Sequence, residues 1–247
     1  MNQATFRFYG DLNDFLPRDQ RQQEVVYEFN GRASVKDMIE ACGVPHPEVA
    51  LIVREGETID FDAIIDSGER LAVYPLFRAL AIVPREAMLI PPLPDPPGFV
   101  LDVHLGRLAG YLRMLGFDAL FPENIDDEYL AQVAHDENRV MLTRDVGLLK
   151  RKVVVYGYWV RATDPMVQIR EIVKRFDLAG RVNPFSRCAT CNGVLEPVEK
   201  AAILDRLKPD TAQYYDEFRI CPDCDQIYWQ GSHFERMQQL IAEIVEG

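Results

Sequence analysis

Cys188, Cys191, Cys221 and Cys224 stand as two Cys-x2-Cys pairs with 29 residues between them. Two such knuckles can direct four thiolates at one point, the tetrahedral arrangement that a structural Zn²⁺ takes. The interval is longer than in a plain ribbon, so a helix or hairpin is expected between the knuckles. Four thiolates fill every zinc position and leave none for water, which makes the site structural and puts any bond-breaking elsewhere. The competing pattern, two disulfides, belongs to small secreted scaffolds that this chain does not resemble. Cys42, the fifth cysteine, has no evident partner and reads as a small buried hydrophobe.

Three sets of acids could do chemistry. Asp102 ends the apolar run Phe99-Val100-Leu101, Asp145 follows Val140-Met141-Leu142-Thr143, and Asp126 and Asp127 open a helix. In a parallel α/β sheet, ligands collect beyond the carboxyl ends of the strands, where all three sets are expected. Converging carboxylates repel one another, and a hard cation such as Mg²⁺ or Mn²⁺ relieves that. Such an ion activates a water and stabilises charge developing on a phosphodiester, which is metal-dependent hydrolysis. The expected ligands are Asp102, Asp127 and Asp145, with Asp126 the alternate for the second. Asp126, Asp127 and Asp145 are each also good helix caps, whereas Asp102 has no evident capping duty.

Basic residues supply the complementary expectation. Arg113 and Arg144 are candidate phosphate contacts, because a guanidinium pairs bidentately with phosphate oxygens. Arg113 reads equally as the solvent face of its helix, and Arg144 should point to the opposite side from Asp145 in an extended backbone. Lys150, Arg151 and Lys152 read as a diffuse patch for a nucleic-acid backbone. Residues 139–187 hold eleven Lys or Arg against four Asp or Glu, about +7 in a chain whose net charge is −12. That strip can track phosphates or form a solvated face, while the overall charge argues against a protein that coats nucleic acid. Tyr228 and Trp229 can stack on bases but read first as packing for the zinc knuckle. Ser232 and Glu235 form a capping box for a helix with Met237, Leu240, Ile241 and Ile244 inward, which leaves His233 in its first turn.

These residues need elements to hold them. At 247 residues the chain can build one large or two modest domains. It shows no run long enough to span a membrane and no signal peptide at Met1–Thr5, so a cytoplasmic protein is expected. Pro84, Pro91, Pro92, Pro94, Pro96 and Pro97 mark a stiff linker over 81–98. Before it, strands are expected at Thr5–Tyr9, Val25–Phe29, Leu51–Val53 and Leu71–Tyr74, with a helix from Val35 to Ala41 capped by Ser34 and stopped by Gly43. After it come a buried strand at 99–103, then a helix with Leu105, Leu108, Leu112 and Leu115 on one face that Gly116 ends. A helix from Asp126 places Tyr129, Leu130, Val133 and Ala134 inward. Strands at Val140–Thr143 and Val153–Tyr156 flank a short helical turn at Val146–Lys150, and a helix runs through Met166–Phe176. Strands alternating with helices imply a parallel sheet.

The first part, with Gly68-Glu69-Arg70 turning into its last strand, resembles the β-grasp (ubiquitin-like) sulfur carriers. Those act through a free Gly-Gly terminus, whereas here the strand runs on into Pro75-Leu76-Phe77-Arg78, so binding or packing is the better expectation. The second part, through Phe99-Val100-Leu101-Asp102, Leu108–Asp118, Leu142-Thr143-Arg144-Asp145, the cysteine pairs and Tyr228–Met237, resembles the Mut-seven C-terminal RNase family. That resemblance implies an α/β fold: a ubiquitin-like β-grasp domain at 1–80, a PIN-like nuclease domain at 99–180, and a zinc ribbon with a C-terminal helix at 181–247. It implies cleavage of single-stranded RNA by Mg²⁺ or Mn²⁺ held on acids, with Asp102 as the first acid, Asp145 as the acid of Thr-x-Asp, and Asp127 (or Asp126) between. His104 stands where related sequences often carry an acid, and Asp164 is the residue available for the further acid that many PIN domains place later in the chain. A non-catalytic RNA- or protein-binding module on the same scaffold is the alternative, with a protein partner for the β-grasp domain in either case.

Overall fold

The computed structural model describes residues 1–76, 87–122 and 125–246. Phe77, Arg78 and Pro84 lie outside them, as do the side chains of Ser232, His233 and Glu235. In chain order the strands and helices are β1 (Asn2–Phe8), β2 (Glu24–Phe29), α1 (Val35–Ala41), β3 (Val49–Arg54), β4 (Glu57–Thr58), β5 (Arg70–Pro75), β6 (Phe99–Leu101), α2 (Gly106–Met114), β7 (Ala119–Leu120) and α3 (Asp127–Asp136). There follow β8 (Val140–Thr143), α4 (Val146–Leu149), β9 (Gly157–Trp159), α5 (Pro165–Arg175), β10 (Glu196–Val198), α6 (Lys200–Ile203), α7 (Pro209–Tyr214), β11 (Phe218–Ile220), β12 (Ile227–Trp229) and α8 (Ser232–Glu246). These form two compact units, Met1–Leu93 with Asp126–Trp159, and Pro94–Ile125 with Val160–Gly247.

The first unit contains a five-stranded sheet in the order β2-β1-β5-β3-β4. Its centre is a parallel β1–β5 pair flanked by antiparallel neighbours. Strict alternation along β1 buries Ala4, Phe6 and Phe8 on one face, as a period of two requires. α1 starts where the Ser34 hydroxyl accepts from Asp37 N, and buries Val35, Met38 and Ile39 against that face. Each large apolar side chain removed from water there contributes about 1.5–3 kcal/mol. Of the proline-rich stretch, Leu89 N bonds to Ala50 O, and Ala87, Met88 and Ile90 pack on Ala50 and Leu51, so these residues extend the core rather than hang free.

The same unit holds α3, β8, α4 and β9. β8 pairs with β9 in parallel register, Thr143 opposite Trp159. The strand expected at Val153–Tyr156 lies instead at Gly157–Trp159. Val154 N turns back to Arg151 O, and the strand begins at Gly157, where the packing leaves no room for a side chain. A Cβ there would meet Leu149 at 2.7 Å. On α3 the buried residues are Leu130, Ala131 and Ala134, whereas Tyr129, expected inward, is exposed.

In the second unit β6 and β7 form a parallel pair. β6 is wholly buried, and Phe99 meets Phe117 and Phe176 edge-on. The expected leucine face, Leu105, Leu108, Leu112 and Leu115, is buried throughout. The Cys-rich end folds as a three-stranded antiparallel sheet, β10-β11-β12, with α6 and α7 inserted between the knuckles. The interval between the cysteine pairs thus carries both helices and the two strands β10 and β11.

Candidate functional site

Asp102 follows β6 directly and is 7% exposed. It occupies the N-cap of a 3-10 turn at Val103–Leu105, yet its carboxylate makes no bond to the amides of that turn; the turn closes through Leu105 N and the Asp102 carbonyl.

Asp145 sits at the carboxyl end of β8 in a tightly specified turn. Its own amide donates to Thr143 Oγ1 at 2.9 Å, and its Oδ1 accepts from Gly147 N at 2.7 Å, which caps α4. Gly147 suits that approach, since a Cβ there would stand 3.1 Å from Asp145 Oδ1. Thr143 is fully buried, whereas Asp145 is exposed. Asp126 and Asp127 divide their roles. Asp126 Oδ1 accepts from Tyr129 N at 2.8 Å as the N-cap of α3, and Asp127, one residue later, faces Arg151 at 3.8 Å.

The basic residues are less free than their spacing suggests. Arg113 is buried; its Nε donates to Ala119 O at 2.9 Å, and its Nη1 donates to Ala189 O and Thr190 O at 3.3 and 2.8 Å. It therefore ties α2 to the first cysteine knuckle. Lys150 Nζ donates to Glu40 O at 2.6 Å, and the Arg144 carbonyl accepts from the Trp159 indole at 3.2 Å.

The four cysteine sulfurs all lie within 4.8 Å of one another. Cys188 and Cys224 approach to 3.5 Å, and Cys191 and Cys221 to 3.3 Å. A tetrahedron with Zn–S bonds of about 2.3 Å has edges of about 3.8 Å, so the cluster fits a four-coordinate thiolate metal site. Burial works to raise the Cys188 thiol, but hydrogen bonds from the Tyr228 hydroxyl and from backbone amides outweigh it and bring it down to about 6. The Tyr228 hydroxyl also accepts from Ala189 N, so this ring packs on the knuckle.

With this geometry in view, the chain matches the family described as the Mut7-C RNAse domain over residues 97–241, and the Mut7-C ubiquitin family over 1–81. The chain belongs to the Mut7-C RNAse family. No curated protein matches it. Among solved structures it is similar to the crystal structure of H. volcanii small archaeal modifier protein 1, at 16% identity and a TM-score of 0.26, over 31% of this chain and 100% of the other. A likeness at that level supports no functional inference.

Within the Mut7-C domain, several residues that support the site escaped the reading of the sequence. Buried Asn192, with φ +75°, accepts from Ala119 N through Oδ1 and donates to Asp118 through Nδ2, binding the knuckle to β7. Asp118 also pairs with Arg187 at 3.3 Å. Glu48 of the ubiquitin-like domain is fully buried and accepts from Trp159 N at 2.7 Å. An asparagine straight after Cys191, a residue type that tolerates the left-handed region, was the one available signal for Asn192; nothing local marks Glu48.

Proposed function

We propose that this Mut7-C protein is a metal-dependent ribonuclease that hydrolyses single-stranded RNA. Asp102, Asp127 and Asp145 supply the carboxylates for Mg²⁺ or Mn²⁺, Asp126 is the alternate for Asp127, and Zn²⁺ fills the four-cysteine cluster as a structural ion. The observation that carries the reading is Asp102, a nearly buried carboxylate that directly follows an apolar strand and does not bond the amides of the turn it opens, in a chain of an RNAse family. When bound, the divalent ion supplies an activated water and charge stabilisation. The carboxylates hold it, and the Thr143–Asp145 turn fixes the direction of one of them. Arg144 and Arg151 are proposed to meet RNA phosphates, and Lys150 helps to hold the fold. Arg113 leaves the phosphate set, because its guanidinium is committed to three backbone carbonyls.

A non-catalytic RNA-binding module is the second reading, favoured by the observed caps made by Asp126 and Asp145. Purified protein with single-stranded RNA and Mn²⁺, with and without EDTA, separates the two. Cleavage should need the metal and should fall by roughly a hundredfold or more in Asp102→Asn and Asp145→Asn, since both changes keep the shape and remove a charged ligand. Binding without cleavage in any metal supports the second reading, and cleavage untouched by both substitutions removes these acids from the site. Metal analysis of the same samples should give about one zinc per chain.

A further inference from the structure

The Arg144–Asp145 peptide group is held at both ends. Its carbonyl accepts the indole N–H of Trp159 at 3.2 Å, and its N–H donates to Thr143 Oγ1 at 2.9 Å. A peptide group is planar, so fixing its oxygen and its hydrogen fixes the plane from which the Asp145 side chain departs. Trp159 is in turn held from the ubiquitin-like domain. Its backbone N–H donates to the buried Glu48 carboxylate at 2.7 Å, and its ring packs on Phe15 with centroids 5.1 Å apart.

The same stretch of the ubiquitin-like domain meets the segment from Lys150 to Gly157 at three further points. His46, itself buried, lies between Glu40 Oε1 at 2.6 Å and Val154 O at 2.9 Å. Lys150, just past α4, reaches Glu40 O. Pro47 comes so close to Gly157 that a Cβ there would stand 3.2 Å from it. A carrier or recruiting module on a flexible tether would need none of these buried polar contacts, which cost free energy unless they are matched.

We infer that residues 40–48 of the ubiquitin-like domain act as an internal clamp on the Asp145 turn, with Glu48 and Trp159 as positioning residues for the reaction proposed above. The clamp rests on that reading for its catalytic consequence, but its mechanical part does not. Glu48 sets Trp159, Trp159 sets the Arg144 carbonyl, and the carbonyl sets the direction of Asp145. The ubiquitin-like domain is thereby joined to the segment that carries Asp145 rather than being a detachable handle.

The test uses the full chain with Trp159→Phe, which keeps the ring on Phe15 but removes the indole donor, and with Glu48→Ala and Glu48→Gln. Melting curves, circular dichroism and zinc content establish that each variant is folded. Misplacement of a catalytic group by a fraction of an ångström to an ångström costs roughly 10- to 100-fold. Trp159→Phe and Glu48→Ala should therefore lower kcat by that factor with KM within about twofold, whereas Glu48→Gln, which keeps an acceptor, should stay near wild type. Amide exchange at Asp145 and Gly147 should quicken by roughly tenfold in the first two variants and not in the third. Unchanged exchange in both overturns the clamp. Faster exchange with unchanged kcat overturns its catalytic role. If wild-type protein cuts no RNA in any metal, the proposed function fails, and the exchange measurement still decides the clamp.

Discussion

Asp126 and Asp127 are adjacent in the chain and separable in duty. Asp126 caps α3 through Tyr129 N, while Asp127 is solvated and pairs loosely with Arg151. Removing a cap costs about 1 kcal/mol, and an exposed ion pair is worth about 0–1 kcal/mol. Asp126→Ala should lower Tm by about 2–4 °C and leave cleavage by the folded protein intact. Asp127→Ala should do the reverse, with Tm nearly unchanged and cleavage lost. Thermal melts beside kcat for both variants check this, and the opposite pattern moves the metal role to Asp126. The sequence offered both residues and no means of choosing, because helix caps and metal ligands draw on the same short acids at the same helix start. Arg113 fell between readings for a similar reason. Helical period leaves it readable as the solvent face of its helix, because the carbonyls that bury it, at Ala189 and Thr190, lie more than 70 residues further on.

At the scale of elements, what was legible is what local pattern decides. The strands of the ubiquitin-like domain, the capped α1 and the leucine face of α2 follow from periods of 2.0 and 3.6 and from Ser34, Gly43 and Gly116 as stops. The last strand of the first unit slipped from Val153–Tyr156 to Gly157–Trp159 because Gly157 is chosen by a close approach from Leu149 and Pro47, not by β propensity. Gly116 shows the same principle with a sharper consequence. It ends α2 at φ +93°, and a Cβ there would stand 2.0 Å from the Asn183 carbonyl oxygen. That oxygen belongs to backbone leading into the ribbon, and Asn183 N bonds back to Leu115 O. Gly116→Ala therefore combines an unfavourable backbone angle with a backbone clash and should cost about 3 kcal/mol or more. Gly110 provides the internal comparison. It lies inside the same helix with nothing within 4 Å of its added Cβ, so Gly110→Ala should stabilise by about 0.5–1 kcal/mol. Denaturant midpoints of the two variants should move in opposite directions, and a neutral Gly116→Ala would refute the close packing of α2 under the ribbon.

For the whole molecule, a family boundary near residue 81 and a structural boundary do not coincide. The ubiquitin-like match ends at residue 81, yet the first compact unit joins Met1–Leu93 to Asp126–Trp159. No linear pattern carries that information, since Glu48 and Trp159 are 111 residues apart and each looks ordinary where it stands. The consequence is cooperative. Ile52 is fully buried in the core between β3 and α1, far in sequence from Asp126–Trp159. Ile52→Ala should cost about 2–5 kcal/mol through lost contacts and the cavity left behind. If the unit unfolds as one body, that cost appears in amide exchange of β8 and β9 as well as in the β-grasp sheet, because opening one requires releasing the other. Val140–Thr143 and Gly157–Trp159 should then lose protection by the same factor as β1 and β5. Protection of β8 and β9 that stays at the wild-type level while β1 and β5 exchange faster would mean that the ubiquitin-like domain melts alone. In that case the bonds from Glu48, His46 and Lys150 would be contacts without energetic weight.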